Sequence, residues 1–491
     1  MKNKILLLSI FPCVTLGAHA VGADKSPNII LLMCDDLGWG DVGFNGNKII
    51  RTPNLDALAQ EGVVLDYFYS ASPVSSPTRA SVLTGRNPFR TGVFYANEGI
   101  LRPEEITIPE MLKLKGYASG HFGKWHLGVL TQTGKDANRG GARHPELLNS
   151  PYLHGYDEAF VTESKVPTYD PMYKPEKGSP RFWDNLSASE KKVLYNTAYW
   201  DIQGKRVEND LSGDDSRVIM DRVIPFINQA VNNQQPFLSV VWFHTPHLPC
   251  VAGPEHRAIY KDMDLKERNY YGCITAMDEQ VGRLVKYLKN AGEFENTLIL
   301  FCSDNGPENN TPGSTTSFKN RKRSLYEGGI RVPSIAVWEG KIPANKRIST
   351  PCVTSDYLPT IADILNLPIE QKVDGESMLP FFTKSATKRT KPIVFCSDNQ
   401  AAIIDGDYKL YYCDGRYELY HISLDEREEN NIISEKQKIA KRLQDELENT
   451  YNDFRLSFEG MEYGTLSLNK IKQSWKNVFK TKPNVTKTKD K

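Results

Sequence analysis

The chain of 491 residues lacks an excess of charge of either sign: 61 Lys and Arg stand against 60 Asp and Glu, a formal net charge of +1. No global field therefore draws it to nucleic acid or to an anionic membrane, and any preference for anions has to be built locally. Cysteine is sparse, and its eight positions show none of the spacings that hold a metal. Seven of them (Cys34, Cys250, Cys273, Cys302, Cys352, Cys396 and Cys413) follow the N-terminal leader, an odd number for a disulfide framework. Cys34 and Cys302 end apolar runs and read as small buried hydrophobes; one bridge elsewhere, Cys396 with Cys413, stays open. There is no internal repeat, and no segment after the leader is long and apolar enough to span a bilayer. With 40% hydrophobic and 25% charged residues, the composition is that of a globular protein.

What is present begins with a leader. Lys2 and Lys4 precede an apolar run from Ile5 to Leu16, and Ala18-His19-Ala20 fits a small-x-small cleavage site, so residues 1–20 read as a signal peptide and the mature protein as exported. The periplasm is the expected location, ahead of attachment to the cell surface.

The mature chain opens on Asn28-Ile29-Ile30-Leu31-Leu32-Met33, a continuous apolar run suited to a strand covered on both faces, and similar runs recur at Phe237 to Phe243 and Thr297 to Cys302. Between them, Ile274, Met277, Val281, Leu284, Val285 and Leu288 recur at helical spacing, with Gly292 as the stop. Asp356 to Leu365 reads as another helix. Buried strands alternating with helices predict an α/β fold with a large, mostly parallel sheet, here assigned to 25–390. Residues 131–200 are polar and aperiodic and read as an irregular insertion. From 391 to 460 the pattern becomes short strands at Ala401 to Ile404, Tyr408 to Tyr412 and Tyr417 to Ile422, with Asp405-Gly406 and Asp414-Gly415 as hairpin turns and a final helix near Ile439, Leu443 and Leu447. This predicts a small α+β subdomain with an antiparallel sheet. A basic tail, 461–491, follows; Lys470 to Lys491 holds eight lysines and one acid.

Five stretches carry chemistry. Asp35-Asp36 and Asp304-Asn305 close two of the predicted strands, and open α/β sheets form their sites beyond the carboxyl ends of strands. Oxygen donors alone select a hard cation, and calcium tolerates the irregular geometry of such loops. Ser75-Ser76-Pro77-Thr78-Arg79 leads into Leu83-Thr84-Gly85; by itself it could be a turn entering a helix with Pro77 at the first position. Gly123-Lys124-Trp125-His126-Leu127-Gly128 sets an ammonium and an imidazole two apart, which on an extended segment face the same side. Phe243-His244-Thr245-Pro246-His247 follows an apolar strand, and Lys322 precedes Tyr326-Glu327-Gly328-Gly329.

In this order the five stretches resemble the type I sulfatases, in contexts closest to the N-acetylgalactosamine-6-sulfatase and arylsulfatase branch, over most of the chain from Asn28 to Tyr417-Glu418-Leu419-Tyr420. The resemblance implies an alkaline phosphatase-like fold and hydrolysis of sulfate monoesters, and for an exported sulfatase the expected substrate is a sulfated carbohydrate such as a glycosaminoglycan, mucin or other sulfated glycan saccharide. It implies that Ser75 is oxidised to formylglycine, whose hydrate is the nucleophile, because a serine hydroxyl is weak unless activated. It implies calcium held by Asp35, Asp36, Asp304 and Asn305, and Asp304 as acceptor of the attacking hydroxyl's proton. Arg79 would anchor the hydrate, Lys124 contact sulfate, and His126 take the second hydroxyl's proton. Either His247 or Lys322 would protonate the leaving alcohol, and His244 is either a support for the site or a satisfied strand-end histidine. Serine in place of cysteine at 75 implies a bacterial, oxygen-independent radical maturating enzyme as a transient partner. Sugar contacts are expected from the 131–200 segment, at Arg143, His144 and Trp183, with Arg139 and His154 as further candidates. Two other readings compete: a phosphomonoester or phosphonate hydrolase of the same superfamily, and a non-catalytic sulfated-glycan-binding protein with unconverted Ser75.

Overall fold

The computed structural model describes residues 25–187, 189–463 and 473–479. The leader and most of the basic tail lie outside the described residues. Ten strands form the central sheet: β1 Asn28–Cys34, β2 Val63–Leu65, β3 Ala118–Lys124, β4 Glu158–Thr162, β5 Tyr199–Asp201, β6 Arg206–Val207, β7 Phe237–Trp242, β8 Thr297–Ser303, β9 Ser334–Val337 and β10 Lys346–Ile348. Their spatial order is β10-β2-β9-β8-β1-β7-β3-β4-β5-β6. The middle five, β8-β1-β7-β3-β4, are all parallel. β1 lies at the centre and is buried throughout, as its unbroken apolar run requires.

Both faces of this sheet are covered. Ile30, Leu32 and Cys34 face a core with Val218, Ile219 and Val223 of helix Asp215–Asn232 and Ile274, Met277 and Val281 of helix Leu265–Asn290. Ile29, Leu31 and Met33 face the opposite core, with Ala80, Val82 and Leu83 of helix Ser75–Thr84 and Leu358 and Ile361 of helix Tyr357–Leu365. Alternate residues of one strand thus supply two cores.

The C-terminal sheet is antiparallel, in the order β11 Ile393–Ser397, β12 Gln400–Asp405, β13 Tyr408–Cys413 and β14 Arg416–His421, and helix Gln437–Phe458 packs on it through Leu443, Leu447 and Phe454. β13 and β14 are joined by Asp414 and Gly415, both at positive φ (46° and 85°), as a tight primed hairpin turn requires. No helix among the described residues is long and apolar enough to cross a membrane.

One expectation needs correction, and two readings left open by the sequence are decided. The 131–200 segment is not wholly irregular: it contributes β4 to the parallel core and β5 beside it, and its Lys192–Leu194 pairs with Tyr173–Pro175. Only Ala159, Phe160 and Val161 mark β4 as apolar, too few for a pattern to show. The helix after Val74 begins at Ser75 rather than Pro77, with Val74 extended at its N-cap. No disulfide joins the cysteines of the described residues. Cys396 and Cys413 lie on β11 and β13 with β12 between them, a separation of roughly 9–10 Å, beyond the roughly 7 Å that a disulfide spans.

Candidate active site

Parallel register builds the centre of the site. Cys34 pairs with Ser303, so Asp35-Asp36 and Asp304-Asn305 leave adjacent strands side by side. The Asp304 backbone N–H donates to the Cys34 carbonyl at 3.0 Å, and the Asp36 N–H donates to Asp304 Oδ1 at 3.0 Å. Asn305 Nδ2 donates to Asp36 Oδ1 at 2.7 Å, leaving its amide oxygen turned the other way. That oxygen lies 3.4 Å from Ser75 Oγ, which is also 3.1 Å from Asp35 Oδ1. All five residues are buried.

Arg79 follows Ser75 by four residues on the same helix, so both side chains lie on one face. Its Nη2 donates to Asp304 Oδ2 at 2.9 Å and lies 3.6 Å from Asp35 Oδ1, and its guanidinium stacks over Trp242 at 5.0 Å. Lys124, the last residue of β3, donates to Asp35 Oδ2 at 2.6 Å, and Lys322 donates to Asp36 Oδ1 at 2.5 Å. Each buried carboxylate is therefore met by a buried cation, as burial of charge demands. His247 directs Nδ1 to the Leu248 carbonyl at 2.7 Å, and its Nε2 lies 3.6 Å from Asp36 Oδ2.

Burial alone would raise Asp35, but Lys124, His247, Arg79 and Lys322 outweigh it and hold its carboxyl well below the usual range. Asp36 is raised by burial and by the charge of Asp35. Asp304 is pushed up to about 7 by burial, with Asp35 adding to it. Burial holds both His247 and His126 well below the ordinary imidazole value, so both are neutral at pH 7.

The structure departs from the expected arrangement at His126. The segment is not extended there, since His126 has a φ of 59°. Its Nε2 meets Asn97 Oδ1 at 2.8 Å, its carbonyl accepts from Ser76 Oγ at 2.7 Å, and its buried Nδ1 has no hydrogen-bond partner. His126 thus sits beside the start of the helix rather than in a hydrogen bond with Ser75. His244 is a satisfied strand-end histidine, held by Asp215 Oδ2 at 2.8 Å and Thr162 Oγ1 at 2.7 Å.

The proposed sugar contacts are not drawn into this cluster. Arg143 and His144 are exposed, with His144 3.3 Å from Glu146, and Trp183 is buried beside Phe182, which bridges to Cys250. Arg139 is buried and bonded to the carbonyls of Gly99 and His126, and His154 is buried against Asn149 Oδ1 at 2.8 Å. Both brace the loops instead of facing outward.

The chain matches the family model described as sulfatase over residues 27–367, and that of the N-sulphoglucosamine sulphohydrolase C-terminal region over 317–453. It is 32% identical to N-acetylgalactosamine-6-sulfatase of Mus musculus over 430 residues, covering 84% of this chain and 75% of that protein. The chain belongs to the sulfatase family. Sulfuric ester hydrolysis is accordingly its chemistry. The steryl-sulfatase of Mus musculus is 30% identical over 438 residues, covering 77% of this chain and 68% of that one. Among solved structures, that of Ps i-CgsB in complex with k-i-k-neocarrahexaose superposes with a TM-score of 0.77 at 29% identity, over 89% of this chain and 97% of that one. The phosphonate monoester hydrolase of Agrobacterium radiobacter, at 19% identity, a TM-score of 0.60 and coverage of 89% and 96%, shares the fold alone.

Several residues of this sulfatase that sequence reasoning passed over lie around the cluster. Asn97 holds His126, and Asn138 Nδ2 joins Asn97 Oδ1 at 3.3 Å and Ser164 Oγ at 2.7 Å. Glu308 pairs with Arg323 at 2.5 Å and lies 3.9 Å from Lys322. These are isolated polar residues on separate loops; no local pattern marks them. Only Glu308 carried a signal, lying three residues beyond Asn305.

Proposed function

We propose that this sulfatase removes sulfate from carbohydrate monoesters, with Ser75 as nucleophile after oxidation to formylglycine and a calcium ion held by Asp35, Asp36, Asp304 and Asn305. The observation that carries the reading is the position of Ser75 Oγ, 3.1 Å from Asp35 Oδ1 and 3.4 Å from Asn305 Oδ1, at a helix start flanked by two buried lysines. The donor set fits a hard cation: three carboxylates and an amide oxygen, with Asp36 Oδ2 buried and without a hydrogen-bond partner. Asp35, Asp36 and His247 also bring one ligand atom each to within 4.8 Å of one another. Of these, the carboxylates suit calcium and the imidazole does not.

Calcium, when bound, supplies Lewis-acid charge for the sulfuryl oxygens, and formylglycine supplies a carbonyl whose hydrate is a competent nucleophile. The chain's own residues set the rest. Lys124 and Lys322 fix positive charge beside residue 75, where negative charge grows on the ester, the preorganised arrangement that dominates many enzymes. Arg79 ties Asp304 to the helix bearing residue 75, so acceptor and nucleophile cannot drift apart. Asp304 takes a proton at Oδ from residue 75, and either Lys322 or a His247 that has first taken up a proton delivers one to the departing alcohol. Neutral His126, with Nδ1 unpaired, accepts the second proton.

The carbohydrate assignment draws support from N-acetylgalactosamine-6-sulfatase and from the neocarrahexaose complex, whose names record sugars. Export rests on the leader, and the oxygen-independent radical maturating enzyme on the serine at 75. The test combines mass and turnover. Intact mass of protein purified from its native host should show the loss of two hydrogens at Ser75 and an N-terminus after Ala20. The same sample should cleave an aryl sulfate faster than the matched aryl phosphate. Full activity with wholly unconverted Ser75 would sink the formylglycine reading, and faster phosphate turnover would favour a phosphoesterase.

A further inference from the structure

At the site each of three cations faces a carboxylate: Arg79 meets Asp304, Lys124 meets Asp35 and Lys322 meets Asp36. Lys165 is a fourth cation at the same rim, and among the described residues its ammonium makes no hydrogen bond or ion pair. Its place is fixed by the backbone on both sides. It lies three residues past the end of β4, where Thr162 pairs with Lys124. Ser164, just before it, is chained through Asn138 and Asn97 to His126. Thr168, three residues further on, donates its N–H to the Pro249 carbonyl at 3.2 Å and its hydroxyl to the Val251 carbonyl at 2.7 Å, in the loop that carries His247. Lys165 therefore stands between the segments that supply the two site histidines.

Its surroundings leave the charge unanswered. The side chain is half-buried and interacts electrostatically with Lys322, Asp36, Asp35 and Glu308, while His247 in turn feels its charge. Such interactions fade over roughly 10 Å, so Lys165 lies within about that distance of these groups. Asp35 and Asp36 already carry their own lysines, and Glu308 is held by both terminal nitrogens of Arg323 at 2.5 and 2.7 Å. A partly desolvated ammonium beside a second ammonium is unfavourable unless an anion joins them. Lys124 and Lys322 are enough to flank one sulfate group; Lys165 is surplus to it.

We infer that Lys165 forms a second anion subsite, which binds a sulfate or carboxylate carried by the substrate in addition to the ester sulfate that is cleaved. The inference rests on the sulfatase reading of the Ser75 cluster and narrows its substrate class to saccharides bearing at least two anionic groups. Charge-assisted hydrogen bonds are the strong ones, so loss of this contact should read as about a tenfold change in relative affinity.

Binding to full-length Ser75→Ala protein tests it by calorimetry, independently of turnover. The probes are N-acetylgalactosamine 6-sulfate, N-acetylgalactosamine 4,6-disulfate, and the 6-sulfated sugar linked to glucuronate. The doubly anionic probes should bind tighter than the monosulfate, and the two doubly anionic probes separate a second sulfate from a carboxylate as the ligand. Lys165→Met should cut that preference ratio about tenfold, Lys165→Arg should largely restore it, and Lys165→Glu should reverse it. Equal binding of single and double anions by the parent protein, or an equal loss for all three probes in Lys165→Met, would overturn the subsite. The parent-protein comparison decides the matter even if a variant fails to fold. Absence of sulfate ester turnover by matured protein would instead overturn the sulfatase reading, leaving the binding ratios to stand or fall separately.

Discussion

His247 and Lys322 reach the same carboxylate from opposite chemistry, one a neutral imidazole 3.6 Å from Asp36 Oδ2, the other an ammonium 2.5 Å from Asp36 Oδ1. In the proposed reaction Lys322 can donate its own proton to the departing alcohol, whereas His247 can do so only after taking one up, and leaving-group acidity distinguishes them. A proton donor matters most when the alcohol is a poor leaving group. Replacement of the true donor by Ala should slow a sugar sulfate about 100-fold or more while slowing 4-nitrophenyl sulfate far less. The other variant should slow both substrates alike. Steady-state rates of matured Lys322→Ala and His247→Ala on the two substrates measure this, and uniform losses in both would remove each from the donor role. At this scale the sequence was readable where chemistry is local. Ser75 to Arg79 and Lys124 to His126 sit in unbroken strings, and Asp35 and Asp304 mark strand ends. Lys165, Asn97 and Asn138 were not readable, because a lone polar residue in a loop acquires meaning only from what the fold sets opposite it.

Strand β3 brings Lys124 to the site and buries His121 three residues earlier, against Trp125 and Trp242. Burial pushes His121 down to about 3, and His154, stacked near Trp125, to about 3 as well. In the unfolded chain each would titrate near 6.5. Between these values the unfolded state binds more protons, so stability rises with pH. The contribution is fully present above about pH 6.5 and is lost as pH falls toward 3. Buried carboxylates such as Glu163, raised to about 7 by burial, titrate in the opposite sense. A comparison with His154→Gln isolates the effect. Urea unfolding at pH 7 and pH 4.5 should show a smaller acid loss for the variant than for the parent; identical losses would contradict the assignment. The long elements were legible because β1 and the helix Leu265–Asn290 carry unbroken periodicity. β4 and β11 were not, since runs of only three or four apolar side chains in five residues do not show a strand's period until a neighbouring strand pairs with them.

Across the whole molecule, the C-terminal sheet grips the segment that follows Lys322 rather than standing apart as an appendage. Lys409 on β13 is fully buried and paired with Glu327 at 2.9 Å and Glu428 at 2.8 Å. Glu428 also accepts the Glu327 N–H at 2.7 Å, and Gln400 accepts from the Leu325 N–H and donates to the Arg323 carbonyl. Leu325, Tyr326 and Ile330 pack with Phe395, Ile404 and Tyr411 in one core. The change in strand pattern near 391 was readable in the sequence. The packing across it was not, since buried ion pairs between distant residues leave no local trace. Lys409→Met leaves two buried carboxylates without their cation, a loss of about 3–5 kcal/mol. A lowered melting temperature, together with weaker sulfate turnover through displacement of Lys322, is the expected outcome; an unchanged melting curve would refute the clasp.

The close approach at Gly306 sets a rule for recombination among relatives. A Cβ there would meet the Gly328 carbonyl oxygen at 2.0 Å, and the Gly306 N–H bonds the Gly329 carbonyl, so the strand-end acids and the lysine loop touch backbone to backbone. The C-terminal family match starts at 317, upstream of that loop. A chimera that exchanges outer sheets should therefore cross over before Lys319, so that the loop travels with the sheet that grips it; a junction near 391 would graft a foreign clamp onto a native lysine.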